Sequence, residues 1–161
     1  MAEALEKQVE QLLQAGEGKK TILTRLATDK NRGRLLTILN NKSLLSRRQR
    51  SMWFNLALAG ALLYVTLKRL LAISAAGHFD FYLLADFIVP TINFYVLREI
   101  LRFQRTGYQL LTVLTVLALV YPANRVLPDL LVHLAMIATA IVLHLRLFPK
   151  NELLTATGSK K

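Results

Sequence analysis

Between residues 51 and 148 the polar positions shrink to short gaps and leave four apolar stretches, 53–74, 79–97, 108–124 and 128–148. A helix rises about 1.5 Å per residue and a bilayer core is roughly 30 Å thick, so about 20 apolar residues suffice to cross it. Backbone amides find no water there, which makes each stretch a helix. The links after the first and third stretches are short, so the pattern predicts two antiparallel hairpins. Residues 1–50 follow another rhythm. Leu5, Val9, Leu12 and Leu13 recur at three- and four-residue steps on one helix face, and Gly16 and Gly18 stop that helix. Ile22, Leu23 and Leu26 predict a second short helix, and Leu35, Leu36, Ile38 and Leu39 a third that ends at Asn40 and Asn41. The expected fold is therefore all-α. A short cytoplasmic helical module (1–50) precedes a bundle of four transmembrane helices (51–148), and 149–161 forms a disordered cytoplasmic tail.

Charge orients this arrangement. The chain has 161 residues and a formal net charge of +11, of which eleven basic and five acidic residues fall in 1–50. Arg47, Arg48 and Arg50 stand directly before the first apolar stretch, where basic side chains hold a helix end on the cytoplasmic side and meet anionic lipid. The middle loop carries Arg98, Arg102 and Arg105, whereas 75–79 has no lysine or arginine and 123–127 has only Arg125. This asymmetry predicts both termini on the cytoplasmic side of a plasma (inner) membrane. The first residues lack a basic run followed by an apolar core, so no cleavable signal is expected and 53–74 is read as an internal anchor.

Charges inside hydrocarbon are costly and call for a partner. Counting from the predicted boundaries, Lys68 lies about 8 Å, Asp86 about 10 Å and His133 about 7 Å below the outer face. The expectation is one polar layer, with Lys68 paired to Asp86 facing inward and His133 bonding beside them. Tyr82, Asp86, Pro90 and Asn93 share a helix face, and Pro90 should kink that helix by removing the amide that would bond Asp86.

No catalytic, cofactor or metal site is expected. There is no cysteine, and no spacing joins a nucleophile to its base. His133 and His144 share a face, yet haem in a bundle needs a facing histidine and His78 falls in a loop. His78, Asp80 and Asp129 read as solvated loop groups. Asn31, Arg32, Arg34 and Thr37 could meet phosphate but spell no base code. The leading expectation is a non-enzymatic accessory or assembly subunit of a larger membrane complex, docking through its basic module. Its partners would be membrane lipid and either another protein or further copies of itself, with nucleic acid not expected. Two alternatives are an oligomeric ion or small-solute pathway around Lys68, Asp86 and His133, and a membrane-tethered DNA-binding regulator.

Overall fold

The computed structural model describes residues 2–75 and 86–155, and these form seven α-helices and no strand. The first three are α1 (Ala2–Gln14), α2 (Lys19–Leu26) and α3 (Arg32–Asn41). Helix α1 ends in a Schellman turn, with Gly16 at φ 85° and its N–H and that of Glu17 returning to Leu13 and Leu12. Asn31 fastens the next turn: its Oδ1 accepts from the Thr28 N–H at 2.8 Å and its Nδ2 donates to the Leu26 carbonyl at 3.0 Å. The predicted apolar faces meet in a small core of Val9, Leu13, Ile22, Leu35, Leu36 and Leu39.

One further residue completes that core, and it comes from the other end of the chain. Leu154 is buried there, and its N–H and C=O both bond the Asn40 side chain at 2.9 Å. Residues 149–155 are thus anchored, with a short 3-10 turn at Lys150–Glu152, and not the disordered tail expected from 149 onward. A paired backbone and one buried leucine overcome the entropy of so short a segment. The rest of the tail, 156–161, lies outside the described residues.

Four longer elements follow: α4 (Leu45–Ala75), α5 (Ile88–Leu101), α6 (Arg105–Ala118) and α7 (Asp129–Leu147). Along α4 the buried positions Ser51, Asn55, Leu58, Leu62, Thr66 and Ile73 form one stripe at helical spacing. Asn55 bonds Ile100 and Thr66 bonds Asn93, so α4 and α5 run antiparallel. Arg47 reaches Arg146 and Lys68 reaches Asp129, which sets α7 antiparallel to α4 as well. All four helices share one core centred on Leu62, Val96, Ile100, Leu111, Ala140 and Leu143.

Two of these helices, α4 and α7, are long and apolar enough to cross a membrane, and only 28% of the apolar stretch of each is buried within the protein. Helices α5 and α6 have 14 residues each, about 21 Å. The expected 108–124 helix stops early because Pro122 lacks an N–H and forces Tyr121 into extended backbone. Asn124 and Arg125 then turn back to bond the carbonyls of Ala118, Leu119 and Val120. The first part of the expected 79–97 helix, with Tyr82, lies outside the described residues, as do His78 and Asp80.

Between α5 and α6 the chain reverses in three residues. Phe103 takes φ 53°, and the N–H groups of Phe103 and Gln104 return to Ile100 and Glu99, a Schellman cap built without glycine. Packing of the Phe103 ring on the core offsets the cost of that backbone.

Candidate functional site

Polar chemistry gathers at both ends of the α4–α7 assembly. At the end nearer the termini, the three-helix module and the tail close over the helix ends as a cap. Lys42 lies at the centre of that contact, 2% exposed, with Nζ 3.0 Å from Glu6 Oε1 and 3.0 Å from Glu10 Oε2. Its backbone bridges to Gln104, and Asn41 donates to Gln104 Oε1 while accepting from the Thr106 N–H. The linker is thereby laid along the α5–α6 turn. Hydrogen bonding to Lys42 holds the Glu6 carboxyl below its ordinary value of 4.5. Burial pushes Glu10 upward, but hydrogen bonds from Arg48 and Lys42 outweigh it and the net displacement is downward.

The three arginines predicted to meet lipid or a partner have divided roles. Arg48 turns inward to the Glu10 carboxylate and bonds the Ser43 carbonyl at 3.1 Å. Arg47 donates to the Arg146 carbonyl at 2.7 Å and pairs with Glu152, tying α4 to α7 and the tail. Arg50 alone stays exposed without an ion pair among the described residues. It lines a cleft with Ser46, Arg47, Ser51 and Arg146. Nearby, Lys19 begins α2 with its ammonium 5.8 Å from the Phe148 ring centre. Burial pushes that amine down to about 8; Glu152 opposes the shift, while Arg105, Arg47 and Arg48 reinforce it.

Sequence spacing did not reveal the interior bonds that fix the helices against this cap. Tyr108 donates to Asn55 Oδ1 at 2.5 Å, and Asn55 Nδ2 donates to the Ile100 carbonyl at 3.0 Å. One buried amide so links α4, α5 and α6, using a helix-end carbonyl that would otherwise lack a full set of partners. A signal for it was present: Ser51, Asn55 and Thr66 fall on the same stripe as Leu58 and Leu62.

At the opposite end the expected layer is rearranged. Lys68 does not pair with Asp86. Its Nζ donates to both carboxylate oxygens of Asp129 at 2.6 and 2.5 Å, and Arg69 takes Asp86 at 2.7 Å. Both pairs lie on the outside of the helices, with Lys68 53% and Asp86 46% exposed. Asp129, read as a solvated loop group, is the first residue of α7 and the actual partner of Lys68. His133 is buried, with Nδ1 2.7 Å from the Asp129 carbonyl one turn earlier. A carbonyl only accepts, so Nδ1 carries the proton in that bond. Pro90 sits in the first turn of α5, where its missing N–H needs no partner, and just before it a turn at Phe87 separates the helical Asp86 from Ile88.

This arrangement fixes which charges are coupled. Double-mutant cycles read by thermal unfolding in mild detergent are expected to be non-additive for Lys68→Met with Asp129→Leu, and for Arg69→Met with Asp86→Leu. Lys68→Met with Asp86→Leu should be additive. Coupling in that last cycle, or its absence in the first two, would refute the pairing.

The residues considered for nucleic-acid contact are partly engaged elsewhere. Asn31 is committed to its turn and the Thr37 hydroxyl donates to the Gly33 carbonyl at 3.1 Å. No group of three or more metal-ligating side chains occurs among the described residues. No family model, curated protein or solved structure matches this chain.

Proposed function

We propose that this protein is a multi-pass membrane protein of four spans with both termini cytoplasmic, serving without catalysis as an accessory or assembly subunit of a larger membrane complex. The observation that carries the membrane reading is the outward face of α4–α7. Trp53 is 82% exposed, Leu71 69% and Val120 67%, and Leu110, Val113, Leu131 and Leu145 are also exposed. Water would penalise each such side chain by about 1.5–3 kcal/mol, whereas lipid would not. The second apolar stretch, 79–97, extends beyond α5, whose start at Ile88 is preceded by a turn at Phe87. The third would cross with help from the capped 119–125 segment.

A docking role is supported by the contrast between the two faces of the cap. Its inner face is used up by Lys42, Arg48, Asn40 and Leu154, while Lys20 and Arg34 remain exposed, as does Arg25, which pairs with Glu17 at 2.8 Å. Such a surface attracts acidic protein. Reporter fusions after Arg105 and Lys161 should read cytoplasmic and a fusion after Gly77 should not. In native membranes, charge reversal to Glu at Lys20, Arg25 and Arg34 should release a stoichiometric partner without releasing the chain from the bilayer. A cytoplasmic Gly77 would overturn the four-span reading, and a partner held equally well by the reversed variant would overturn the docking reading.

A further inference from the structure

The cleft between the start of α4 and the end of α7 has a composition that neither the cap nor the helix core requires. It measures about 570 Å³ and is lined by Ser46, Arg47, Arg50, Ser51 and Arg146. Two of its three guanidinium groups, those of Arg50 and Arg146, make no hydrogen bond or ion pair among the described residues. Arg47 is partly neutralised by Glu152, the one carboxylate paired at this point. Like charges held together cost free energy unless a counter-charge joins them. Guanidinium groups fit the oxygens of a phosphate in bidentate geometry, and serine hydroxyls add donors beside them.

What lies next to the cleft decides where that phosphate comes from. One turn further along α4, Met52, Trp53 and Phe54 are exposed by 52%, 82% and 58%, and on α7 Leu145 by 61% and Val142 by 46%. Any anion in the cleft therefore has bare hydrocarbon surface directly beside it, on both helices. A free phosphate would leave that surface uncovered. A glycerophospholipid fills both parts, its phosphodiester among the arginines and its acyl chains along α4 and α7.

We propose that this cleft binds the phosphodiester headgroup of an anionic glycerophospholipid, with Arg50 and Arg146 as its principal ligands and Ser46 and Ser51 as supporting donors. The proposal rests on the membrane reading above and gives it a defined lipid site. Lipid held there would bridge α4 and α7 beside the Arg47–Glu152 clasp that fastens the tail.

The test uses the full chain in mild detergent, exchanged against phosphatidylglycerol or phosphatidylcholine, with bound lipid counted by native mass spectrometry. One phosphatidylglycerol should be retained per chain, in preference to phosphatidylcholine. The variant Arg50→Gln/Arg146→Gln should bind it about thirty-fold more weakly. A control of equal charge loss away from the cleft, Arg98→Gln/Lys30→Gln, should bind it as the unaltered chain does. Arg50 and Arg146 are exposed and without an ion pair among the described residues, so circular dichroism should report unchanged helix; Arg50→Lys/Arg146→Lys, which keeps the charge but not the fork, should recover only part of the affinity. Equal loss in the two glutamine variants would reduce the effect to general surface charge and overturn the proposal. Displacement of the lipid by inorganic phosphate alone would overturn the lipid assignment. Recovery of the unaltered chain in the aqueous fraction after alkaline washing would defeat the membrane reading itself, whereas a membrane-retained chain with no lipid preference defeats only the cleft.

Discussion

Replacing Glu6 and Glu10 together by glutamine is expected to destabilise the cap by about 3–5 kcal/mol, more than removal of Lys42 itself. The asymmetry follows from burial. Lys42 is 2% exposed and its ammonium has both carboxylates within 3.0 Å, so the double change strands a charge out of reach of water. Lys42→Met instead leaves Glu6 to Arg102 and Glu10 to Arg48, and both carboxylates are partly solvated. Acid should imitate the double change. Both carboxyl groups titrate below their ordinary value of 4.5 in the folded protein, so their contribution is complete above that pH. It is lost as pH falls through the depressed folded values. Limited proteolysis of the α2–α3 turn, followed from pH 7 to pH 3, should show the unaltered cap opening only in the acid range and the double variant already open at neutral pH. Full protection of the double variant at pH 7 would remove the clasp from the account.

Why some of this was legible beforehand and some not is a matter of range. Helices α1 to α3 are encoded locally, by apolar steps of three and four and by the glycine at position 16, and their bounds follow the pattern closely. Apolar composition likewise marks α4 and α7. Partner choice is different. Depth arithmetic resolves about one helical turn, 5.4 Å, and carries no information on which way a side chain faces around its helix. Depth alone favoured Asp86, because Asp129 stands at the very start of the fourth stretch, about 1.5 Å in; a long lysine side chain spans that difference, and the position of α7 beside α4 decided between them. The anchoring of the tail was invisible for a related reason. Leu154 has no periodic neighbours, and its partner Asn40 lies 114 residues away. Asn55 was legible in principle, since it shares a helical stripe with Leu58 and Leu62, but its partners Ile100 and Tyr108 belong to two other helices that only folding brings near.

Gly107 concentrates that turn into one atom. A Cβ added there would lie 2.8 Å from Glu99 Cβ, 2.9 Å from the Ile100 nitrogen and 3.0 Å from the Glu99 carbonyl carbon. Two of those three atoms are backbone, and they belong to the last turn of α5, which the Schellman cap at Phe103 already fixes. Neither can give way without opening the hairpin, so Gly107→Ala is expected to cost about 3 kcal/mol, at the upper end for an added methyl group. The damage should travel. Tyr108 is the next residue, and moving α6 outward draws its hydroxyl from Asn55, leaving a buried amide short of a bond. Gly60 provides the control, because it is also helical and a Cβ there meets nothing within 4 Å. Gly60→Ala should leave stability unchanged or raise it by up to about 1 kcal/mol through helix propensity alone. Thermal unfolding in mild detergent, with near-ultraviolet circular dichroism reporting the tyrosine environment, separates the two. Equal stability of both alanine variants would mean that α5 and α6 are not in contact at Gly107, and the hairpin that positions Asn41, Lys42 and the cap would have to be rebuilt.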